Sequence, residues 1–291
     1  MGKAFGSMIL TLAGVVSLAA APASGRSFEF SLFGGMGLGR AAGQAVHEDT
    51  WSFSELTRVW ERTDIRVDGK TPPLFGAEAA VYLNARLGIG ISWATWNDSL
   101  EGGSDFRFEY DRAGGDGDSR QAFWADSGDV RSSAIGLNVL YRLGEGRIHG
   151  YVTAGPALFL HRLDLDASFG GGLTDTAEPD EPPIDAIRIP IFIERGSGSS
   201  LGLDLGAGIT LQVASRLGLV VEGRYFLCPE STFDWTIPGG SFDGIFYEGQ
   251  IEGVYLSAEE LSYVLDHRTL SLFRFRPSRF QIRVGLKLAV G

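Results

Sequence analysis

Apolar and polar residues alternate one by one along several stretches of this chain. The clearest covers residues 201–213, where the odd-numbered positions hold Leu, Leu, Leu, Ala, Ile, Leu and Val. The even-numbered positions between them hold only Gly, Asp, Thr and Gln, so the apolar residues share one face of an extended strand. Residues 217–227 and 280–290 repeat the pattern. The alternation therefore predicts long strands, each with one apolar face.

Eight segments with this character can be recognised, and the connections between them alternate strictly in length. The segments are Phe28–Gly39, Pro73–Leu83, Leu87–Asn97, Val130–Leu143, Ile148–Leu165, Leu201–Val213, Leu217–Leu227 and Phe280–Val290. Three connections have three or four residues and four have 32 to 44 residues. The short ones are Asn84–Arg86, Gly144–Arg147 and Ala214–Arg216, and the long ones are Arg40–Thr71, Asp98–Asp129, Asp166–Gly198 and Pro229–Leu272. This asymmetry is typical of up-and-down barrels with short periplasmic turns and long extracellular loops.

The predicted fold is all-β, a transmembrane antiparallel up-and-down β-barrel of eight strands. Within lipid every backbone N–H and C=O must find a partner inside the protein, so strands can cross only as a closed barrel. The apolar faces would then meet lipid, and the small and polar faces would meet the lumen. The alternative is a secreted soluble barrel or sandwich whose apolar faces form the core. The connection lengths and the small residues on the second face favour the membrane barrel.

The first residues have the three parts of a secretory signal peptide. Lys3 is followed by the apolar run Met8–Ala20 and then by Ala21-Pro22-Ala23, which resembles a cleavage site. We therefore expect a signal peptide over residues 1–23 and an outer-membrane barrel domain over residues 24–291. No later stretch has 18 consecutive apolar residues, the length that would predict a membrane-spanning helix. The predicted location is the cell outer membrane.

Eight charged residues fall on the faces predicted to point into the lumen. They are Glu29, Glu78, Arg142, Asp204, Glu222, Arg224, Arg283 and Lys287. Four are acidic and four are basic, and buried charges should pair. A barrel of eight strands is narrow and is filled by side chains. We therefore interpret the set as a network that plugs the lumen, with a narrow or gated channel lined by these groups as the alternative.

Charge is unevenly distributed between the strands and the long connections. The four long connections hold 11 basic and 30 acidic residues, whereas the rest of the chain holds 14 and 6. The net charge of −11 argues against a nucleic-acid partner. Acidic outer loops predict contact with outer-membrane lipid and lipopolysaccharide through divalent cations. The single cysteine, Cys228, excludes an intrachain disulfide.

The chain also resembles a known family of small outer-membrane barrels. The features that carry the likeness are the signal peptide, the glycine-rich opening strand with Phe-Gly-Gly-Met-Gly-Leu-Gly at residues 33–39, the hairpin rhythm, and the closing Arg-Val-Gly-Leu-Lys-Leu at residues 283–288. These resemble the opacity-protein-like, OmpA-type barrels over nearly the whole mature chain. The resemblance implies an eight-stranded barrel and insertion by the barrel-assembly machinery.

Little in the sequence points to catalysis. His149 and His161 lie twelve residues apart on one strand and cannot share a site. His161 with Asp164 and Ser168 is the remaining candidate, and no local motif for a nucleophile, a metal site or a cofactor accompanies it. We expect a non-enzymatic envelope or surface protein without a cofactor. A narrow porin-like channel and a lipid-modifying enzyme are the alternatives.

The long connections contain further patterns. Residues 106–110 are expected to pair with residues 121–124, and alternation within residues 187–193 and 244–255 suggests strands continuing above the membrane or a barrel of ten or twelve strands. A capping box at Ser257 predicts a short helix over Ala258–Asp266. Six aromatic residues near strand ends are candidates for interface girdles: Tyr82, Trp93, Trp96, Tyr141, Tyr151 and Phe159.

Overall fold

The computed structural model describes residues 27–38, 41–54, 57–112, 118–173, 185–236, 241–246, 249–250, 254–255 and 271–290. The predicted signal peptide over residues 1–23, its boundary with the barrel domain, and the predicted helix over Ala258–Asp266 lie outside these residues. Within them, no helix is long and apolar enough to cross a membrane.

The described residues form fifteen strands. They are β1 (Ser27–Leu38), β2 (Ala42–Ser54), β3 (Thr57–Gly69), β4 (Pro73–Tyr82), β5 (Leu87–Arg112), β6 (Asp118–Leu143), β7 (Ile148–Leu173), β8 (Asp185–Gln212), β9 (Leu217–Leu227), β10 (Ser231–Phe233), β11 (Ser241–Phe246), β12 (Gly249–Gln250), β13 (Val254–Tyr255), β14 (Phe273–Arg276) and β15 (Arg279–Val290). β5, β6, β7 and β8 each have 26 or 28 residues, more than twice what a tilted strand needs to cross a bilayer.

Eight strands close into a ring in the order β1, β4, β5, β6, β7, β8, β9, β15. β15 returns to β1 in an antiparallel register that runs from Phe28↔Val290 to Leu38↔Phe280. Every other neighbouring pair in the ring is antiparallel as well. The prediction of an eight-stranded up-and-down barrel is confirmed, and the alternatives of ten or twelve strands are wrong.

The three short connections lie together at one end of the ring, which we call the turn end. The turn of residues 144–147 contains two glycines with positive φ, Gly144 at 81° and Gly146 at 107°, a backbone conformation that glycine adopts without steric cost. At the opposite end the long connections continue as strands. The part of the ring near the turns is called the lower barrel. It comprises β1, β4, β9 and β15 with residues 87–98, 130–143, 148–163 and 198–212.

The lower barrel is apolar outside and polar inside. Its outward side chains form a belt of exposed Leu, Ile, Val and Phe residues around the ring, including Leu32, Ile91, Leu137, Ile209 and Leu286. The buried inward positions include all four predicted acidic residues and several Ser, Thr, Asn and Gln side chains. A soluble barrel has the opposite distribution. Its outer side chains contact water and are mostly polar, and its apolar side chains fill the interior.

The remaining strands form the upper sheet, which comprises β2, β3, β10, β11 and β14 with residues 99–112, 118–129, 164–173 and 185–197. β5 and β6 stay paired as far as Tyr110↔Asp118. The predicted pairing of residues 106–110 with residues 121–124 is confirmed for residues 106 and 107, whereas residues 108–110 pair with residues 118–120. The β2–β3 hairpin lies between β14 and the upper part of β5. A bridge between Phe192 and Thr236 joins β8 to the chain beyond β10. Much of the sequence predicted as long loops is therefore β-structure.

The polarity of the upper sheet is the reverse of that of the lower barrel. Its interior holds an apolar cluster that includes Ile65, Leu165, Phe169, Ile189 and Phe273. Its outward side chains include ion pairs between an exposed arginine and a partly exposed aspartate, such as Arg66 with Asp64 and Arg107 with Asp105. The molecule thus consists of two stacked parts, one with an apolar exterior and the other with an apolar core.

Candidate functional site in the lumen of the lower barrel

A first group of charges fills the lumen at the turn end. Arg142 Nη2 lies 2.7 Å from Glu29 Oε1, and Lys287 Nζ lies 3.1 Å from Glu29 Oε2. Both cations also lie over aromatic rings, Arg142 at 4.2 Å from the centroid of Tyr82 and Lys287 at 4.8 Å from that of Tyr151. This turn-end cluster combines one carboxylate with two cations, and each cation also contacts an aromatic ring.

A second group surrounds the fully buried guanidinium of Arg224. Arg224 Nη2 lies 2.7 Å from Glu78 Oε2 and 2.9 Å from Glu222 Oε1. Arg224 Nη1 lies 3.1 Å from Asp204 Oδ2, and Nε donates to Glu222 Oε1 at 3.0 Å. Three carboxylates from three strands therefore converge on one cation, whose side chain is 1% exposed. We call this group, together with Arg283, the central cluster.

Neutral donors complete the environment of Asp204. Its Oδ2 accepts hydrogen bonds from Ser92 Oγ at 3.1 Å and from Asn138 Nδ2 at 3.0 Å. Gly136 lies beside them, and a Cβ at this position would be 2.6 Å from Ser92 Oγ and 2.9 Å from Asp204 Oδ2. Glycine is therefore required here by close packing of the lumen.

Arg283 neighbours Arg224 and is held mainly by neutral groups. Its Nε and Nη2 donate to Gln281 Oε1 at 3.1 and 2.7 Å, and its Nη1 lies 3.9 Å from Glu222 Oε2. Its Cζ lies 4.3 Å from the centroid of the Phe33 ring. The central cluster thus carries three carboxylates and two guanidinium groups, which complements the opposite excess at the turn end. Together the two clusters contain all eight lumen residues named from the sequence.

A further buried ion pair, which was not predicted from the sequence, lies above these clusters. Arg279 Nη2 contacts Asp98 Oδ2, and both side chains are buried. Arg279 also lies 5.4 Å from the centroid of Trp96. Asp98 falls in the predicted connection Asp98–Asp129, and Arg279 directly precedes the predicted strand Phe280–Val290. Asp98 is two residues after Trp96, and Arg279 is two residues before Gln281. Extending the alternation of inward and outward residues by one step therefore places both charged side chains in the lumen.

His161 does not meet the residues suggested from the sequence. Its Nδ1 lies 2.9 Å from Ser132 Oγ, and its Nε2 lies 3.4 Å from Cys228 Sγ. Asp164 instead accepts a hydrogen bond from the backbone of Arg195, and Ser168 Oγ accepts one from Arg188. The predicted grouping of His161 with Asp164 and Ser168 is therefore wrong.

The chain of Cys228, His161 and Ser132 has the connectivity of a nucleophile, a base and an orienting group. All three side chains are buried, and Cys228 packs with Trp96, Phe159 and Phe226 in an apolar cluster. A thiol acts as a nucleophile in its ionised form, which apolar burial disfavours. The arrangement is that of a packed interior rather than of an accessible active site.

The predicted aromatic girdle is mostly an interior feature. Tyr82, Trp96, Tyr151 and Phe159 are buried in the lumen, so their assignment to the exterior is wrong. Tyr141 is exposed, and Trp93 is partly exposed on the outside. In the lumen these rings contact arginine and lysine side chains and pack against neighbouring aromatic rings.

Free space in the lower barrel is concentrated at the turn end. A vestibule of about 440 Å³ opens there and is lined by Glu29, Arg142, His149 and Lys287 among others. Farther in, the cavity among Glu78, Tyr151, Glu222 and Arg283 has a volume of only about 10 Å³. That is no more than one water molecule occupies. The side chains therefore interrupt the lumen at the central cluster.

No protein-family model and no curated protein sequence matches the chain. Among solved structures it is similar to the outer membrane protein OprG of Pseudomonas aeruginosa, with 9% identity over 92% of this chain and 96% of that one, at a TM-score of 0.43. It is similar to Neisserial surface protein A, with 12% identity over 91% and 99%, at a TM-score of 0.35. It is also similar to the outer membrane protease OmpT of Escherichia coli, with 11% identity over 89% and 97%, at a TM-score of 0.32.

Proposed function

We propose that the chain is an integral outer-membrane protein with a plugged barrel, and that its role is structural or surface-interacting rather than enzymatic. The reversal of polarity between the two stacked parts carries the proposal. An apolar belt around a charged interior suits lipid, whereas an apolar core beneath a charged exterior suits water. On this proposal the lower barrel spans the membrane, the turn end faces the periplasm, and the upper sheet projects from the cell.

The two charge clusters support a plug in preference to a channel. A conducting barrel needs a continuous aqueous path, and here five charged side chains and their partners fill the section around Arg224. The vestibule at the turn end stops at this section. A narrow porin would require these ion pairs to separate during conduction.

Bilayer conductance tests the plug. The refolded chain is first shown to migrate faster on a gel before boiling than after, which indicates a closed barrel. The same sample is then added to a planar bilayer. We expect incorporation without discrete conductance steps. Regular steps from the heat-modifiable form would contradict the plug and support the channel.

A pair of arginines at the upper edge of the belt supports lipopolysaccharide as a lipid partner. Arg131 on β6 and Arg162 on β7 lie directly opposite each other and face outward. Like charges in this arrangement destabilise a sheet unless something lies between them. Within the described part of the chain, neither guanidinium has a carboxylate oxygen within 4.0 Å. The nearby Asp129 and Asp164 accept hydrogen bonds from Ser99 Oγ and Arg195 N.

A pocket of about 320 Å³ lies between the two arginines and is also lined by Asn97, Asp129 and Asp164. Guanidinium groups bind phosphate oxygens with two parallel hydrogen bonds, so a phosphate group would relieve the repulsion. The pocket stands where the exposed apolar residues of β6 and β7 end, at the level expected for lipid headgroups. We propose that it holds a phosphate of lipopolysaccharide in the outer leaflet, through contacts with the two guanidinium groups.

Thermal unfolding in vesicles tests this partner. Vesicles with phosphorylated lipopolysaccharide should raise the unfolding temperature, and vesicles with dephosphorylated lipopolysaccharide should not. The double variant Arg131→Gln/Arg162→Gln should lose the increase. Arg107→Gln, which changes an exposed arginine of the upper sheet, should retain it. An equal increase in the double variant, or with the dephosphorylated lipid, would disprove the site.

The burial of Cys228, His161 and Ser132 supports the non-enzymatic role. An acyl-transfer enzyme needs its nucleophile to reach substrate from a cleft. Here the thiol contacts His161 and Ser200 within a closed layer of the lumen. A lipid-modifying enzyme would need this layer to open. Activity on lipid esters that disappears in Cys228→Ala would contradict the proposal.

A further inference from the structure

Three side chains with metal-ligand atoms converge on the inner face of the β2–β3 hairpin. His47 and Asp49 belong to β2 and are two residues apart, so they share a face. Glu61 of β3 lies directly opposite Asp49. One ligand atom from each of the three lies within 4.8 Å of the other two. Adjacent strands, rather than a loop, therefore fix the relative positions of the donors.

The spacing between His47 and Glu61 suits a shared ion. His47 Nε2 lies 3.6 Å from Glu61 Oε1, which is longer than a hydrogen bond between these two atoms. Two ligands bound tetrahedrally to zinc at about 2.1 Å would lie roughly 3.4 Å apart. The observed separation is close to that value. Small movements of side chains would be enough to complete the coordination.

The surroundings also favour a cation at this place. Glu61 is fully buried and His47 nearly so, whereas Asp49 is partly exposed and offers a route from solvent. The His47 ring contacts the Phe169 ring edge-on, with centroids 5.1 Å apart. A buried carboxylate such as that of Glu61 is stabilised by a nearby positive charge. A divalent ion would neutralise both carboxylates at once.

We propose that His47, Asp49 and Glu61 form a binding site for Zn²⁺, with a water molecule as the fourth ligand. An imidazole nitrogen among the donors favours zinc and similar transition ions over Ca²⁺ and Mg²⁺, which prefer oxygen ligands alone. The site lies in the upper sheet and does not depend on the proposed membrane role. Sequence analysis found no metal motif because the two strands are separated by a hairpin with no standard spacing.

The position of the site suggests what the ion does. β14 pairs with β2 at Ala42, Gly43 and Gln44, and among the residues that the structure describes, β3 is the only strand paired with β2 beyond Gln44. The hairpin is thus held to the rest of the sheet mainly through β3. An ion bound by residues of both strands would cross-link β2 to β3 on this side of the sheet.

Metal titration of the full refolded chain tests the proposal. The protein is stripped with a chelator in detergent and titrated calorimetrically with Zn²⁺. We expect saturable binding of one ion and a loss of affinity of at least tenfold in Asp49→Asn and in Glu61→Gln. Glu48→Gln is the matched control, because Glu48 lies between the two β2 ligands but bonds outward to Trp60 and Arg62. Faster gel migration before boiling shows that each variant is folded.

Cobalt substitution gives an independent readout. Co²⁺ bound by these ligands should show the intense visible absorption of a four-coordinate ion, and the absorption should vanish in Asp49→Asn. Asp49 is partly exposed, so this variant is expected to fold even if Glu61→Gln does not. No saturable Zn²⁺ binding, unchanged binding in Asp49→Asn, or displacement of Zn²⁺ by millimolar Ca²⁺ would each overturn the proposal.

Discussion

At the scale of single residues, Arg224 has the greatest influence on the charges of the lumen. Its guanidinium contacts three carboxylates that would otherwise be buried together. Removing one partner of a buried ion pair leaves charges without compensation, at a cost of about 3–5 kcal/mol. We therefore expect Arg224→Met to lower the free energy of unfolding by roughly this amount. Urea titration of the protein folded into lipid vesicles measures the change.

The control for this variant is Arg86→Met at the turn end. Arg86 Nη2 lies 3.7 Å from Glu145 Oε1, and both side chains are exposed. Pairs of this kind contribute about 0–1 kcal/mol, so the control should be nearly neutral. Equal effects of the two variants would show that Arg224 is not compensating buried charge.

Asp126 in the upper sheet makes stability depend on pH. Its carboxyl is buried, and Ser104 Oγ donates to Oδ2 at 2.5 Å. Burial raises the pKa of Asp126 to about 6, although the hydrogen bond from Ser104 and the charge of Arg188 both act to lower it. The folded protein therefore binds this proton more tightly than the unfolded chain, whose carboxyl has a pKa of about 4.

The sign of the effect follows from this difference in pKa. The stabilisation is complete below pH 4, decreases as the pH rises from about 4 to about 6, and is absent above that range. Two pKa units correspond to about 3 kcal/mol, as an order of magnitude. Asp126→Asn should flatten this part of the stability profile, and Asp105→Asn, at a partly exposed ion pair, should not. Unfolding by urea at pH 4.5 and pH 7.5 measures both, and identical profiles for wild type and Asp126→Asn would contradict the assignment.

At the scale of strands, the period of two was enough to find the eight strands of the ring. It also placed Glu29, Glu78 and Asp204 inside, because the face of a residue depends only on its parity along the strand. Which charges meet could not be predicted. Arg224 and Glu78 lie on β9 and β4, and their contact depends on how the closed ring staggers strands that are not neighbours.

The hairpin of β2 and β3 was predicted as loop for a related reason. The inward face of β3 carries Glu61 and Thr63 between apolar residues, so no apolar face is visible in the sequence. The contact between His161 and Cys228 joins residues 67 positions apart. Local patterns carry no information about such contacts, which arise from the packing of the whole barrel.

Whether the belt of the lower barrel contacts lipid can be tested by a substitution on one of its strands. Leu286 on β15 is 55% exposed within the belt, and Phe123 on β6 is 68% exposed above it. Arginine on a lipid-facing strand costs about 2–4 kcal/mol near the bilayer midplane and almost nothing in water. Leu286→Arg should therefore reduce folding into vesicles, whereas Phe123→Arg should fold normally. If both variants fold equally well, β15 does not face lipid.

At the scale of the whole molecule, the two stacked parts have different sources of stability, and on the proposed membrane role they also have different solvents. The lower barrel relies on closed backbone pairing, on neutralised charges inside and on a small apolar cluster around Phe159, since most of its apolar side chains face outward. The upper sheet relies on an apolar core that includes Ile191, Leu165 and Phe275. The long strands β5 to β8 pass through both parts and hold them together. The two parts exchange polarity at the level of Arg131 and Arg162, and this level marks the proposed edge of the membrane.

The most direct test of this account is to measure the surroundings of one position in each part. Single cysteines replace Leu286 or Phe123 in a Cys228→Ser background and carry a polarity-sensitive fluorophore in bilayer vesicles. Lipids brominated in the acyl chain should quench the label at position 286, and aqueous iodide should quench the label at position 123. The reverse pattern, or iodide quenching at both positions, would contradict a membrane-spanning lower barrel.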